Sequence, residues 1–146
     1  PSAAKEDNAA KNRKKHFFDL FQNHLSKVRN KRREFVICGN WNMTHNQNDL
    51  QDFQSNQNVP GCSPEEQQWM DHTMTELGYV DAFREVNSDN DEFTWWPEGK
   101  QGENGWRVDL QIVSSGLKSA IEYGAIYKNQ QFSNHAPLIM DYDYEM

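Results

Sequence analysis

Apolar positions recur at helical spacing at the start of the chain. Phe17, Phe21, Leu25 and Val28 share one face, and Phe18 and Leu20 widen it. The spacing predicts one helix from about Ala3 to Val28, packed on a sheet. A basic connection, Arg29-Asn30-Lys31-Arg32-Arg33, leads into the apolar run Glu34–Gly39, which reads as a buried strand closed by glycine. The stretch from Asn40 to Gly61 is rich in Asn and Gln and reads as a long loop, a length that tends to go with function. Ser63-Pro64-Glu65-Glu66 predicts a helix start, with Ser63 as N-cap, Pro64 at N1 and Glu66 closing a capping box. Trp69, Met70, Thr73, Met74 and Leu77 form its stripe, and Gly78 stops it. Tyr79–Phe83 reads as a short turn or helix. Four strand signals follow: Phe93–Trp96, Arg107–Val113, Ser119–Tyr127 and Leu138–Tyr142. Pro97–Gly105 is a Gly-rich turn, and no internal repeat is present. Helix, strand, loop, helix and then several strands predict a layered α/β (α+β) architecture.

Composition changes this picture in three ways. A length of 146 residues bounds the chain to one ordinary domain. Mean hydropathy of −1.02 is low for a self-sufficient core, but 12% aromatic content supplies large buried areas, so a folded chain is expected. No apolar run approaches the ~18 residues needed to span a bilayer. The polar start, Pro1–Asp7, does not read as a signal peptide, and a first residue other than Met points to processing or an upstream part. Cys38 and Cys62 lack metal-knuckle spacing and read as free thiols. That predicts a reducing intracellular compartment, cytoplasm or organelle matrix, and not secretion. A net charge of −7 argues against tight nonspecific DNA binding. The cations nevertheless cluster, in Lys11–Lys15 and Lys27–Arg33, and a local contact surface can exist there.

Three polar clusters stand at strand ends: Gly39-Asn40-Trp41-Asn42, Trp106-Arg107-Val108-Asp109 and Ser133-Asn134-His135-Ala136-Pro137. Taken alone, His135 is more often a surface or satisfied histidine than a catalyst, and Asp109 more often a strand-edge charge than a ligand. In this order they resemble the C-terminal half of the exodeoxyribonuclease III and abasic-site endonuclease branch of the endonuclease/exonuclease/phosphatase superfamily. That branch carries Gly-Asp-Trp-Asn, Trp-Arg-Ile-Asp and Ser-Asp-His-Ala-Pro. Asn56-Gln57, Pro64-Glu65-Glu66, Leu77–Asp81, Phe93–Trp96 and Asp141-Tyr142-Asp143 extend the resemblance over nearly the whole chain.

The resemblance implies half of a four-layer α/β/β/α sandwich, with one mainly antiparallel sheet and covering helices. Residues 1–146 would be the C-terminal half, and the N-terminal half would be absent from this chain. It also implies Mg²⁺-dependent phosphodiester hydrolysis, with a carboxylate activating water and a histidine oriented by an aspartate. Carried across, Asn40 occupies the catalytic acid/base position and Asn42 the phosphate- or water-positioning one. Asp109 is a further acidic site residue, and Asn134 and His135 occupy the Asp–His pair. Asn134 and Asp109 are the metal-facing positions, and Trp106, Arg107, Lys14 and Arg32 are candidate nucleic-acid contacts.

Two departures redirect the expectation. Asn40 is neutral and cannot act as a general base, and Asn134 cannot stabilise a charged His135 as Asp would. The loop Pro97–Asn104, where the family carries Arg, is acidic on balance. The expectation is therefore a catalytically inactive nuclease-like subunit that binds no Mg²⁺. A partner chain supplying the N-terminal half would complete it, within a larger complex, in a structural or nucleic-acid-contact role. The alternative is a fragment or inactivated form of a Mg²⁺-dependent repair exonuclease or abasic-site endonuclease.

Overall fold

Helix α1 spans Asn8–Val28, and its last turn carries Lys27, a cation suited to the helix C-terminus. The computed structural model describes residues 8–99 and 101–145, so the part of the expected helix before Asn8 lies outside the described residues. Strand β1 is Val36–Asn40. Where the composition suggested only loop, the chain forms a 3-10 turn, Gln47–Asp49, and a short helix α2, Phe53–Asn56.

Helix α3, Pro64–Asp71, starts as its sequence dictates. The Ser63 hydroxyl accepts from Glu66 N–H, and the Glu66 carboxylate accepts from Ser63 N–H. It then widens into a π turn, His72–Glu76, closed by Leu77 N–H donating to His72 O. The cause is visible at the Trp69 carbonyl. Both the Thr73 hydroxyl and the Gln22 side-chain amide from α1 donate to it, competing with the regular ladder.

Strand β2 is Val80–Asp81, and helix α4, Ala82–Val86, follows directly. Strand β3 is Asp109–Val113; β4, Ile121–Ile126, follows a 3-10 turn over Ser115–Ala120; β5 is Leu138–Tyr142. All pairing is antiparallel, in the order β1-β3-β2 with a separate β4-β5 hairpin, so two small sheets stand where one was expected. The predicted strand Phe93–Trp96 forms no full strand. Trp95 instead bridges Trp106 on one side and His135 on the other, which ties the two sheets together.

The alternation along β3 sorts the core. Leu110 and Ile112, with Ile37 of β1, face α1 and α3, where Leu25, Val28, Trp41, Trp69, Met70 and Tyr79 are buried. Each such side chain stabilises by ~1.5–3 kcal/mol relative to exposure. Between the sheets, α4 contributes Phe83 to a second cluster with Phe93, Trp96 and Ile126. Ala82 packs with Val113, Leu117 and Ile121 in a third. Strand β1 departs from the expected buried strand. It is the sheet edge, and Val36 is 46% exposed with Cys38 also exposed. Both cysteines are free.

Candidate active site

The β1–β3 register places Asn40 directly opposite Asp109, so two of the expected residues meet by strand pairing alone. Past Asn40 the chain turns sharply. Asn42 adopts φ of 51°, a left-handed conformation that asparagine tolerates, and its N–H donates to Asn40 Oδ1 at 3.0 Å. Trp41 anchors the turn by donating its N–H to Val108 O and its indole Nε1–H to Leu110 O. Gly61 must be glycine here: its φ is +98°, and a Cβ would lie 3.0 Å from Asn42 O and 3.1 Å from the Trp106 ring. Lys14 of α1 supports the same turn, donating to Asn42 O at 3.3 Å while ion-paired to Glu66 at 2.6 Å.

His135 completes the cluster. Its Nδ1 lies 2.7 Å from Asp109 Oδ2, in a half-buried pair. The carboxylate accepts the Nδ1 proton, which fixes the ring and directs Nε2 away from the pair, available to an incoming group. This corrects the expectation that Asn134 is the partner of His135. Adjacent residues on extended chain project to opposite sides. His135 bridges Trp95 and reaches Asp109, while Asn134 is exposed and its Oδ1 lies against Gly99, 2.5 Å from where a Cβ there would stand. The Ser133 hydroxyl accepts from His135 N–H and sets the turn between them.

One supporting residue lies inside the Phe93–Trp96 motif but is not singled out there. The buried Thr94 accepts through Oγ1 from the N–H groups of Val108 and Asp109, and its carbonyl accepts from Ala136 N–H. Thr94 thus holds the backbone beside both members of the Asp109–His135 pair. Thr94→Val should leave two buried N–H groups unpaired, at a cost of ~1–3 kcal/mol each before relaxation. Chemical denaturation of the chain together with its co-purifying polypeptide reads the loss, and Thr94→Ser should recover most of it.

The expected nucleic-acid contacts do not gather at this site. Trp106 is buried, edge-on to Trp95. Arg107 is 1% exposed, because its guanidinium is clamped between Asp49 (2.8 Å) and Asp81 (2.5 Å) over the Phe83 ring. Arg84 also bonds Asp49, at 2.9 Å. Burial alone would raise the Asp49 pKa, but Arg107, Asn46 N–H and Arg84 outweigh it and hold the carboxyl at about 2. Burial by itself would lower the Arg107 pKa, and Asp81 and Asp49 reverse that. Lys14 is engaged as described, and Arg32 alone of the four is exposed. Among the described residues, no three His, Cys, Asp or Glu side chains converge on one point. Asp109 bonds His135 through Oδ2, and Asn40 and Asn134 carry neutral amides, so Asp109 supplies the one carboxylate among these positions.

The family model for the Endonuclease/Exonuclease/phosphatase family matches residues 6–126, and the chain belongs to that family. Within that family the chain is similar in sequence to exodeoxyribonucleases and AP endonucleases, and the solved structures that superpose on it share its fold. An exodeoxyribonuclease of Bacillus subtilis is 35% identical over 107 residues, covering 70% of this chain and 42% of the relative. The DNA repair nuclease APEX1 of Danio rerio is 29% identical over 113 residues, 75% of this chain and 36% of the relative. The 3'-5' exonuclease NExo of Neisseria meningitidis superposes with a TM-score of 0.80 at 21% identity, over 94% of this chain and 56% of that one. An AP endonuclease of Archaeoglobus fulgidus gives 0.79 at 20% identity, over 88% and 53%. The chain thus spans less than half the length of these curated relatives and just over half of these solved chains.

Proposed function

We propose that this chain is a nuclease-like subunit that contacts nucleic acid or serves as structure without cutting phosphodiesters. A second polypeptide supplies the N-terminal half of the sandwich. Asn40 carries the reading. It stands opposite Asp109 at the position that, by resemblance, belongs to the catalytic aspartate, and its Oδ1 is already accepting from Asn42 N–H. An amide there cannot take a proton from water at ordinary pH. What remains can still bind. The Asp109–His135 pair presents a ring nitrogen, and Asn42 offers an amide, both suited to hydrogen bonds with a phosphate oxygen.

The open face of β1 supports the partner. Val36 and Cys38 lie uncovered on an edge strand, and Tyr123 (54%) and Ile139 (43%) are exposed on the hairpin. Edge strands and apolar faces of this kind are covered in stable folds. The intact Asp109–His135 pair favours a second reading, a fragment or inactivated form of a Mg²⁺-dependent repair nuclease. One preparation separates the two. The purified chain alone should lack a cooperative, compact monomer. With its co-purifying polypeptide and Mg²⁺ it should leave an abasic-site duplex uncut. A lone chain that unfolds cooperatively as a monomer contradicts the partner. Cleavage that His135→Ala abolishes contradicts the loss of activity.

A further inference from the structure

The end of the sheet opposite Asn40 carries the highest density of positive charge in an otherwise acidic molecule. Lys27, Arg29, Lys31, Arg32 and Arg33 fall within seven residues of a chain whose net charge is −7. Every ion pair among the described residues involves other cations. Arg29 has a structural task, donating to Glu76 O at 2.8 Å where the π turn ends. Lys27 suits the C-terminus of α1. Arg32 and Arg33 lie beyond the helix and have neither task.

Beside them is a cleft of about 210 Å³, lined by Arg29, Asn30, Arg33, Phe35, Ser114 and Ser115. The Ser114 hydroxyl is fixed in its wall, accepting from Phe35 N–H and donating to Phe35 O. The cleft adjoins the Val36–Val113 end of the β1–β3 pair, whereas Asn40 and Asp109 close the other end. Four residue steps separate them, roughly 13 Å along the strand.

We propose that the Lys27–Arg33 segment and this cleft form a second, non-catalytic contact for the phosphate backbone of a nucleic acid. The proposal is independent of whether the Asn40 site cuts. Guanidinium groups match phosphate oxygens bidentately, and unpaired arginines beside a cleft with an aromatic wall suit a strand held by its backbone. A membrane surface fits less well. The place is concave, and the exposed apolar residues of α1, Phe17 and Leu20, lie more than two turns before Arg29.

The test is fluorescence anisotropy of a labelled DNA duplex with the full chain and its co-purifying polypeptide, between about 50 and 200 mM salt. Arg32→Gln/Arg33→Gln should weaken binding about tenfold at the low end and reduce the log–log salt slope by about 2. Lys118→Gln/Lys128→Gln removes the same charge elsewhere and should change affinity less than about twofold. Three results overturn the proposal: no binding by the unaltered protein, equal losses for the two double variants, or equal competition by phosphatidylserine vesicles at matched charge.

Discussion

Arg107→Met should destabilise the folded protein by about 3–5 kcal/mol, the largest loss expected from a single substitution here. The reason is what the change leaves behind. Asp49 is fully buried and Asp81 nearly so, with side chains 0% and 8% exposed, and Arg107 bonds both. Methionine fills similar volume but offers no donor, so two carboxylates would face each other in low dielectric with Arg84 alone as counter-charge. The same network sets an acid limit. The Asp49 carboxyl is held at about 2, below its ordinary value of 3.8. A depressed folded pKa gives stability that is complete above the unfolded value and lost as pH falls through the folded one. Denaturation midpoints of the chain together with its co-purifying polypeptide should therefore decline between about pH 4 and pH 2, and the decline should be shallower in Asp49→Asn. A midpoint for Arg107→Met within about 1 kcal/mol of the parent would contradict this role for the network.

Much of this architecture was legible in the sequence because local chemistry decides it. Ser63, Pro64 and Glu66 form the predicted cap, and the alternation of Leu110 and Ile112 with Asp109 and Gln111 gives the faces of β3. The site was legible as a set of residues, since Asn40, Asn42, Asp109 and His135 come together at the strand ends. Their pairing was not. Asn134 and His135 are adjacent in sequence, yet the Trp95 bridge turns His135 toward Asp109 and leaves Asn134 on the surface. Arg107 misled for a related reason. A lone arginine on a strand reads as a surface cation until its partners are known, and Asp49 and Asp81 lie 58 and 26 residues away along the chain. The exposed face of β1 was hidden because an apolar run gives no sign of whether its strand is central or an edge.

Asn40→Asp should be the substitution with the largest functional effect. It places a carboxylate at the one position where, by family resemblance, a base belongs, and general-base catalysis contributes typically 10²–10⁴-fold. The cost is bounded. The new carboxylate would sit in a cross-strand pair with Asp109, and such like-charge neighbours destabilise by roughly 0.2–1 kcal/mol. Asp109 is itself bonded to His135, which moderates the repulsion. Asn134→Asp adds a second carboxylate on the exposed turn beside the pair.

The most direct test of the central claim is cleavage of an abasic-site duplex with Mg²⁺, using the protein together with its co-purifying polypeptide. The account predicts no cleavage by the unaltered protein. It predicts at least about a 100-fold rise over that background for Asn40→Asp/Asn134→Asp, abolished again by His135→Ala. Cleavage by the unaltered protein that His135→Ala removes, with Asn40 still in place, would contradict it.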